Sequence, residues 1–300
     1  MIRLLLIAGL LFGLALQSSA QDYLWWKKNV NWDGITHWSS YIISSAAKLG
    51  PNALPVPGLP NGHVNNTNSF SYGGAAHFSK GDNTQNAVLR ANLNLVEDVV
   101  SFDLMMIPIE FFQVSHEVKT ERNIFFYHYN ENIATGDLYL NTNIQVFQET
   151  ERFADVMLRI GYRFPTGGLQ GAARYTDAPG YYLDMSIGKS LTNSEKEDAM
   201  KLKMIGMAGF YAWQTNTTDY FQDDAFLYGL GLELANETIL FQTSIDGYYG
   251  YINNGDRPMV YRASIEKHIK KMRFKLEFQQ GIIDFGYSSI GLTIGHVLVK

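Results

Sequence analysis

The chain has no cysteine among its 300 residues. Disulfides, which stabilise many small exported domains, are therefore closed to it, and a large core or a membrane must do that work. Beyond residue 20 it also has no run of about 18 uncharged apolar residues, which excludes a transmembrane helix. A transmembrane strand escapes that test, because it carries only about 10 residues of alternating pattern. No charge of one sign dominates: 24 Lys and Arg stand against 29 Asp and Glu, for a net charge of −5. No long basic stretch or patterned basic–aromatic tract marks a nucleic-acid partner.

The first twenty residues stand apart. Arg3 is followed by an apolar run from Leu4 to Leu16, and Ser18-Ser19-Ala20 closes it with small residues. That is the pattern of a secretory signal peptide over 1–20, too short to span a membrane comfortably. No cysteine follows, so lipoprotein anchoring is not expected. Aromatics are plentiful, with 18 Tyr, 18 Phe and 5 Trp. Their half-apolar, half-wet rings suit a bilayer interface.

Period-two alternation is the strongest signal. Phe274, Leu276 and Phe278 alternate with Arg273, Lys275, Glu277 and Gln279. Leu138, Leu140, Ile144 and Val146 alternate with Tyr139, Asn141, Asn143 and Gln145. Leu89, Leu93 and Leu95 do so with Arg90, Asn92 and Asn94, and Phe241 and Ile245 with Gln242, Ser244 and Asp246. Each is a strand with one apolar and one polar face. The same reading predicts twelve strands, near 69–79, 86–96, 99–107, 137–148, 153–164, 180–191, 199–213, 224–235, 237–248, 257–268, 271–281 and 286–298. Links after even-numbered strands are mostly tight, and those after odd-numbered ones tend to be longer. That is the layout of an outer-membrane barrel, with turns toward the periplasm and loops outside. A β-sandwich also alternates, but nothing in it requires long and short links to take turns. The expected fold is therefore all-β, a transmembrane antiparallel barrel of about twelve strands over 69–300, in the cell outer membrane.

Residues 21–68 break the pattern. Trp25, Trp26, Trp32 and Trp38 lie here, followed by a tract from Leu49 to Pro60 that carries Pro51, Pro55, Pro57 and Pro60. Proline fixes φ and removes a donor, so this tract is no central strand, and an extended or polyproline-like path is expected. The segment is expected on the periplasmic side. It has three open placements: a plug in the lumen, a path along the rim, or a dock for other outer-membrane proteins. The longest link, Pro108 to Gly136, either folds inward as a constriction or extends its flanking strands as a hairpin. The strand-like Ile124 to Tyr129 favours the hairpin.

If the apolar face meets lipid, the polar face lines the lumen. Alternation then assigns Arg90, Asp103, Arg159, Arg163, Asp184, Glu233, Asp246, Arg262, Glu266, Arg273, Lys275 and Glu277 as pore-lining candidates. Cross-strand pairing and ion selectivity are both open to them. Arg159, Arg163, Arg262 and Arg273 are candidates for an anion-preferring track. An enzymatic alternative rests on His77-Phe78-Ser79, where His77 would activate Ser79 as the nucleophile of a barrel lipid hydrolase; two residues at such spacing recur by chance. No metal or cofactor is expected. His116, His128 and His268 are scattered, and Asp219, Asp223 and Asp224 do not have the spacing of a calcium loop.

The alternating strands and the stretch Arg159-Ile160-Gly161-Tyr162-Arg163-Phe164-Pro165-Thr166-Gly167 resemble twelve-stranded outer-membrane channels. The Phe-Pro-Thr-Gly at a strand-to-loop junction resembles the transporter-like barrels grouped under a phenol-degradation (MetA-pathway) label. Gly50-Pro51-Asn52-Ala53-Leu54-Pro55-Val56-Pro57 resembles uncharacterised barrels of Bacteroidota. Ser289-x-Gly291-x-x-Ile294 resembles the signal read by barrel-assembly machinery, though this chain ends Val297-Leu298-Val299-Lys300 and not in an aromatic. The resemblance implies diffusive passage of small solutes, with lipid and solute as partners. A non-conducting barrel subunit of an outer-membrane assembly, docked through 21–68, is the alternative.

Overall fold

The computed structural model describes residues 23–125, 132–192, 199–217 and 219–298. The signal peptide, residues 126–129 of the strand-like Ile124–Tyr129 stretch, and His128 lie outside the described residues. Fourteen strand segments form one antiparallel sheet: β1 (Ser69–Ser79), β2 (Asp82–Val96), β3 (Val100–Met106), β4 (Glu110–Val114), β5 (Ile133–Ala134), β6 (Leu138–Phe147), β7 (Asp155–Phe164), β8 (Gly180–Ser190), β9 (Lys201–Gln214), β10 (Gln222–Ala235), β11 (Ile239–Tyr249), β12 (Met259–Ile269), β13 (Met272–Ile283) and β14 (Ser288–Val297). β1 pairs with both β14 and β2, so the sheet closes on itself.

The closed sheet is a twelve-stranded barrel, because two pairs of segments are single strands with a break. β3 and β4 lie end to end along β2: Leu89 pairs with Met106 and Asn86 with Glu110. β5 and β6 continue one another beside them. Ile107-Pro108-Ile109 makes the first break, where proline cannot donate to the ladder. Thr135-Gly136-Asp137 makes the second. The Phe164-Pro165-Thr166-Gly167 junction fills it: Leu138 N donates to Thr166 Oγ1 at 3.0 Å, and Gly167 N to Asp137 Oδ1 at 2.7 Å. The long link thus extends its flanking strands as a hairpin, with α2 (His116–Glu121) after β4.

The outward residues form the apolar belt that a membrane requires. Phe226, Leu230 and Leu232 on β10, Leu276 and Phe278 on β13, and Ile290 and Leu292 on β14 are all exposed. Closure leaves no unpaired edge, the condition for strands in lipid. The two ends differ. Links 165–179 and 250–258, with the described parts of links 115–132 and 215–221, gather at one end, hereafter the long-loop end; 97–99, 236–238 and 270–271 lie at the other, the short-turn end. The link from β1 to β2 breaks the predicted alternation. β2 begins at Asp82, earlier than expected, and a tight turn at Lys80-Gly81 with φ +81° at Gly81 serves where a loop was expected.

Candidate functional site, a threaded lumen

Of the three placements left open for residues 21–68, residues 49–64 take the lumen. Residues 23–48, with α1 (Leu24–Asn29), lie at the long-loop end. There Trp26 Nε1 donates to the Asn123 carbonyl at 2.9 Å, and Lys48 meets Glu121 at 2.7 Å. Ile42, Leu49 and Leu54 pack into one buried cluster with Val118, Tyr175, Tyr211, Trp213, Tyr248 and Tyr287. That cluster fills the long-loop half of the barrel. The chain then descends, leaves at the short-turn end and enters β1. The strands themselves begin and end there, because Ser69 pairs with Val297.

The proline-rich tract explains itself inside this lumen. A buried N–H must find an acceptor, and four prolines remove that demand. The carbonyls remain, and the wall supplies donors. Tyr248 Oη donates to Leu54 O at 3.1 Å, Arg262 Nη2 to Val56 O at 2.7 Å, Arg159 Nη1 to Gly58 O at 2.9 Å, and Gln242 Nε2 to Leu59 O at 3.2 Å. Below, Gln145 brackets the chain, donating to Gly62 O at 3.0 Å and accepting from Val64 N at 2.7 Å. At the exit His63 Nδ1 sits 3.4 Å from Asp155, which Lys203 also reaches at 2.6 Å.

All twelve pore-lining candidates point inward, and each has a partner. Arg159 meets Asp184 at 2.8 Å, Arg163 meets Asp137 at 2.7 Å, and Arg262 pairs with Asp246. Arg90 and Lys275 face Glu277 at 3.6 and 2.8 Å. Asp103 accepts from Asn92 and Asn143. Glu233 accepts from Asn61 at 3.4 Å. Glu266 lies between His268 and Arg273, and Arg273 donates to Thr67 at the exit. The four arginines do not form a free cationic track. Each is matched to a carboxylate, and Arg159 and Arg262 hold the threaded segment. Arg163 is locked further up by Thr176 and the Ala178 carbonyl.

Beside the threaded segment lies a cavity of about 610 Å³. Pro55 and Val56 of the segment form one side, and Arg90, Asp103, Lys275 and Glu277 of the wall are among the residues facing it. His77 also faces it, but not with Ser79. His77 Nδ1 is 2.7 Å from Ser289 Oγ, and its Nε2 is 2.7 Å from Asn86 Oδ1.

Alternation missed the strongest charge cluster. Arg174, in the link 165–179, reaches Glu110 at 2.7 Å and Asp82 at 2.9 Å. Arg122 also reaches Asp82, at 2.7 Å, and Tyr287 and Tyr175 donate to Asp82 and Glu110. Burial alone would depress the Arg174 guanidinium, but Glu110 and Asp82 hold it above its ordinary value. Burial pushes the Tyr175 phenol up, and the Glu110 carboxylate adds to that. Arg122 and Arg174 sit in links, which have no period. Asp82 and Glu110 sit on strand starts that the sequence placed elsewhere.

No family model matches this chain. No curated protein matches it either. Solved structures do. An outer membrane channel from Pseudomonas putida F1 is similar with 14% identity and a TM-score of 0.51, over 80% of this chain and 97% of that one. The β domain of the Bordetella autotransporter BrkA is similar at 9% identity and TM-score 0.42, over 78% of this chain and all (100%) of that one. The outer membrane protein Omp33 of Acinetobacter baumannii gives 10% and 0.40, over 78% and 99%. The likeness is one of fold: this chain is a closed twelve-stranded β-barrel of the outer-membrane kind.

Proposed function

We propose that the protein is an outer-membrane channel for the diffusion of small solutes, with the threaded segment governing passage. The observation that carries this reading is the cavity of about 610 Å³ beside a segment held by side chains rather than by strand pairing. A segment so held can shift without opening the sheet. The Pseudomonas channel, similar in fold, is described as an outer membrane channel, which supports the reading. With short turns toward the periplasm, the segment would begin outside and leave on the periplasmic side. The test is conductance of the refolded chain in a planar bilayer. Steps that grow when Arg159 and Arg262 are both replaced by Ala are expected. Silence from both, in samples folded by heat-dependent gel mobility, would favour the non-conducting assembly subunit, with exposed Leu24, Trp25 and Ile35 as its dock.

A second reading rests on one observation, the Ser289–His77–Asn86 chain facing the cavity. Asn86 Nδ2 donates to the Ala87 carbonyl, so its Oδ1 is left to accept from His77 Nε2. Nδ1 is then free to take the Ser289 proton, the order of groups in a nucleophile–base–orienter triad. Labelling of Ser289 by a fluorophosphonate, lost in His77→Ala, supports it. No labelling leaves a cross-strand polar ladder.

A further inference from the structure

Buried polar atoms without a hydrogen-bond partner are few in a folded protein, and each needs a reason. Four such atoms lie on segments that come together at one corner of the long-loop mouth: Ser44 Oγ, Asp223 Oδ2, Asn254 Oδ1 and Asp256 Oδ1. All four are oxygens. Their proximity follows from the bonds around them. Trp213, which pairs in register with Asp223, donates Nε1 to the Ser44 carbonyl at 3.0 Å. Ser45 Oγ donates to the Asn254 carbonyl at 3.1 Å, and Ala47 N to Gly255 O at 3.1 Å. The Asp223 and Asp256 carboxyls accept from consecutive backbone N–H groups, Tyr251 at 3.4 Å and Ile252 at 2.9 Å, which sets them side by side.

Both aspartates are fully buried, at 0% exposure. Among the described residues neither has a basic partner. The nearby Arg257 donates to the Gly250 carbonyl instead and lies over the Tyr249 ring. Asp256 Oδ2 is used by the Ile252 and Asn253 N–H groups at 2.9 and 3.0 Å, which leaves Oδ1 free. Two buried carboxylates in contact cannot both stay charged without a positive partner. A shared proton answers for the carboxyl oxygens alone, leaving the Asn254 amide oxygen without a partner. A hard cation answers for them together, because carboxylate, amide and hydroxyl oxygens are what it takes.

We propose that Asp223, Asp256, Asn254 and Ser44 form a binding site for a divalent cation of the calcium class. Only two of the four are acidic, so neither an acid count nor sequence spacing reveals the site. Its ligands come from three places: the segment that precedes the threaded tract, the start of β10, and the 250–258 link. A bound cation therefore fastens the start of the threaded segment to the mouth of the barrel. The site stands whether or not the barrel conducts. With two carboxylates, its dissociation constant belongs with those of extracellular modules, on the order of 10⁻⁴ to 10⁻³ M.

The test uses the refolded full chain, stripped with a chelator. Terbium luminescence excited through Trp213 should rise to saturation and be displaced by calcium. Calcium should raise the unfolding temperature of the parent chain and leave Asp223→Asn unmoved. Asp223 makes one long backbone bond, 3.4 Å from Tyr251 N, so this isosteric change leaves the loop intact. Asp256→Asn and Ser44→Ala should weaken terbium binding in the same assay. The proposal is overturned if terbium does not saturate and Asp223→Asn raises stability at neutral pH, for the carboxyls then share a proton. Saturation that persists in both aspartate variants also overturns it, since the ion would be bound elsewhere.

Discussion

At the residue scale, Arg174 is the position on which most depends. It has no exposure, and it neutralises Asp82 and Glu110 together, neither of which touches solvent. Removing one member of a buried ion pair leaves an uncompensated charge, at a cost of about 3–5 kcal/mol. Arg174→Leu should therefore lower the unfolding free energy by about that amount, read by urea titration in detergent. Glu110→Gln should cost less, because Arg174 keeps Asp82. Equal losses from the two changes would mean that the cluster is not balanced in this way. None of this was legible in the sequence. An arginine in a link shows no period, and only the folded path of 165–179 brings it within reach of two strand starts that are distant in sequence.

At the element scale, alternation carried nearly the whole wall. The expected strand at 69–79 is β1, residue for residue, and most others end within a few residues of expectation. The reason is that lipid on one side and a polar lumen on the other impose a strict period of two. The same period put the twelve charged candidates on the inner face. It could not show that the ladder resumes in β4 and β5 beyond the breaks at Ile107-Pro108-Ile109, where proline cannot donate, and Thr135-Gly136-Asp137, which the 164–167 junction fills. Nor could it choose a route for the tryptophan- and proline-rich segment. Its carbonyls are satisfied by β6, β7, β11 and β12, a set of donors that exists only once the barrel has closed. The absence of cysteine makes that route directly testable, because single introduced thiols have no background. Pro55→Cys, beside the cavity, should react with a small water-soluble thiosulfonate. Leu54→Cys, with its side chain in the buried cluster, should not. Equal reactivity at both would mean that the segment is not seated as described.

At the scale of the molecule, the barrel carries two kinds of interior. The long-loop half is a packed core of tyrosines, tryptophans and aliphatic residues closed around residues 42–56. The short-turn half is a polar lumen whose charges are largely matched in pairs, and this balance decides what selectivity to expect. Arg159 and Arg262 are held by Asp184 and Asp246, so under the proposed channel function the parent chain should discriminate weakly between small ions of either sign. Replacing both arginines by Ala does two things at once. It removes the donors to Val56 and Gly58 that hold the threaded segment, and it leaves two carboxylates facing the lumen. Conductance should then rise, and under a potassium chloride gradient the reversal potential should move toward cation selectivity. The two effects separate the roles of the arginines. Larger steps with an unchanged reversal potential would mean that they hold the segment but stand outside the ion path. A shifted reversal potential at unchanged step size would place them on the path and remove them from the gate. If neither changes while current flows, ions do not pass beside the segment, and the lumenal route is wrong.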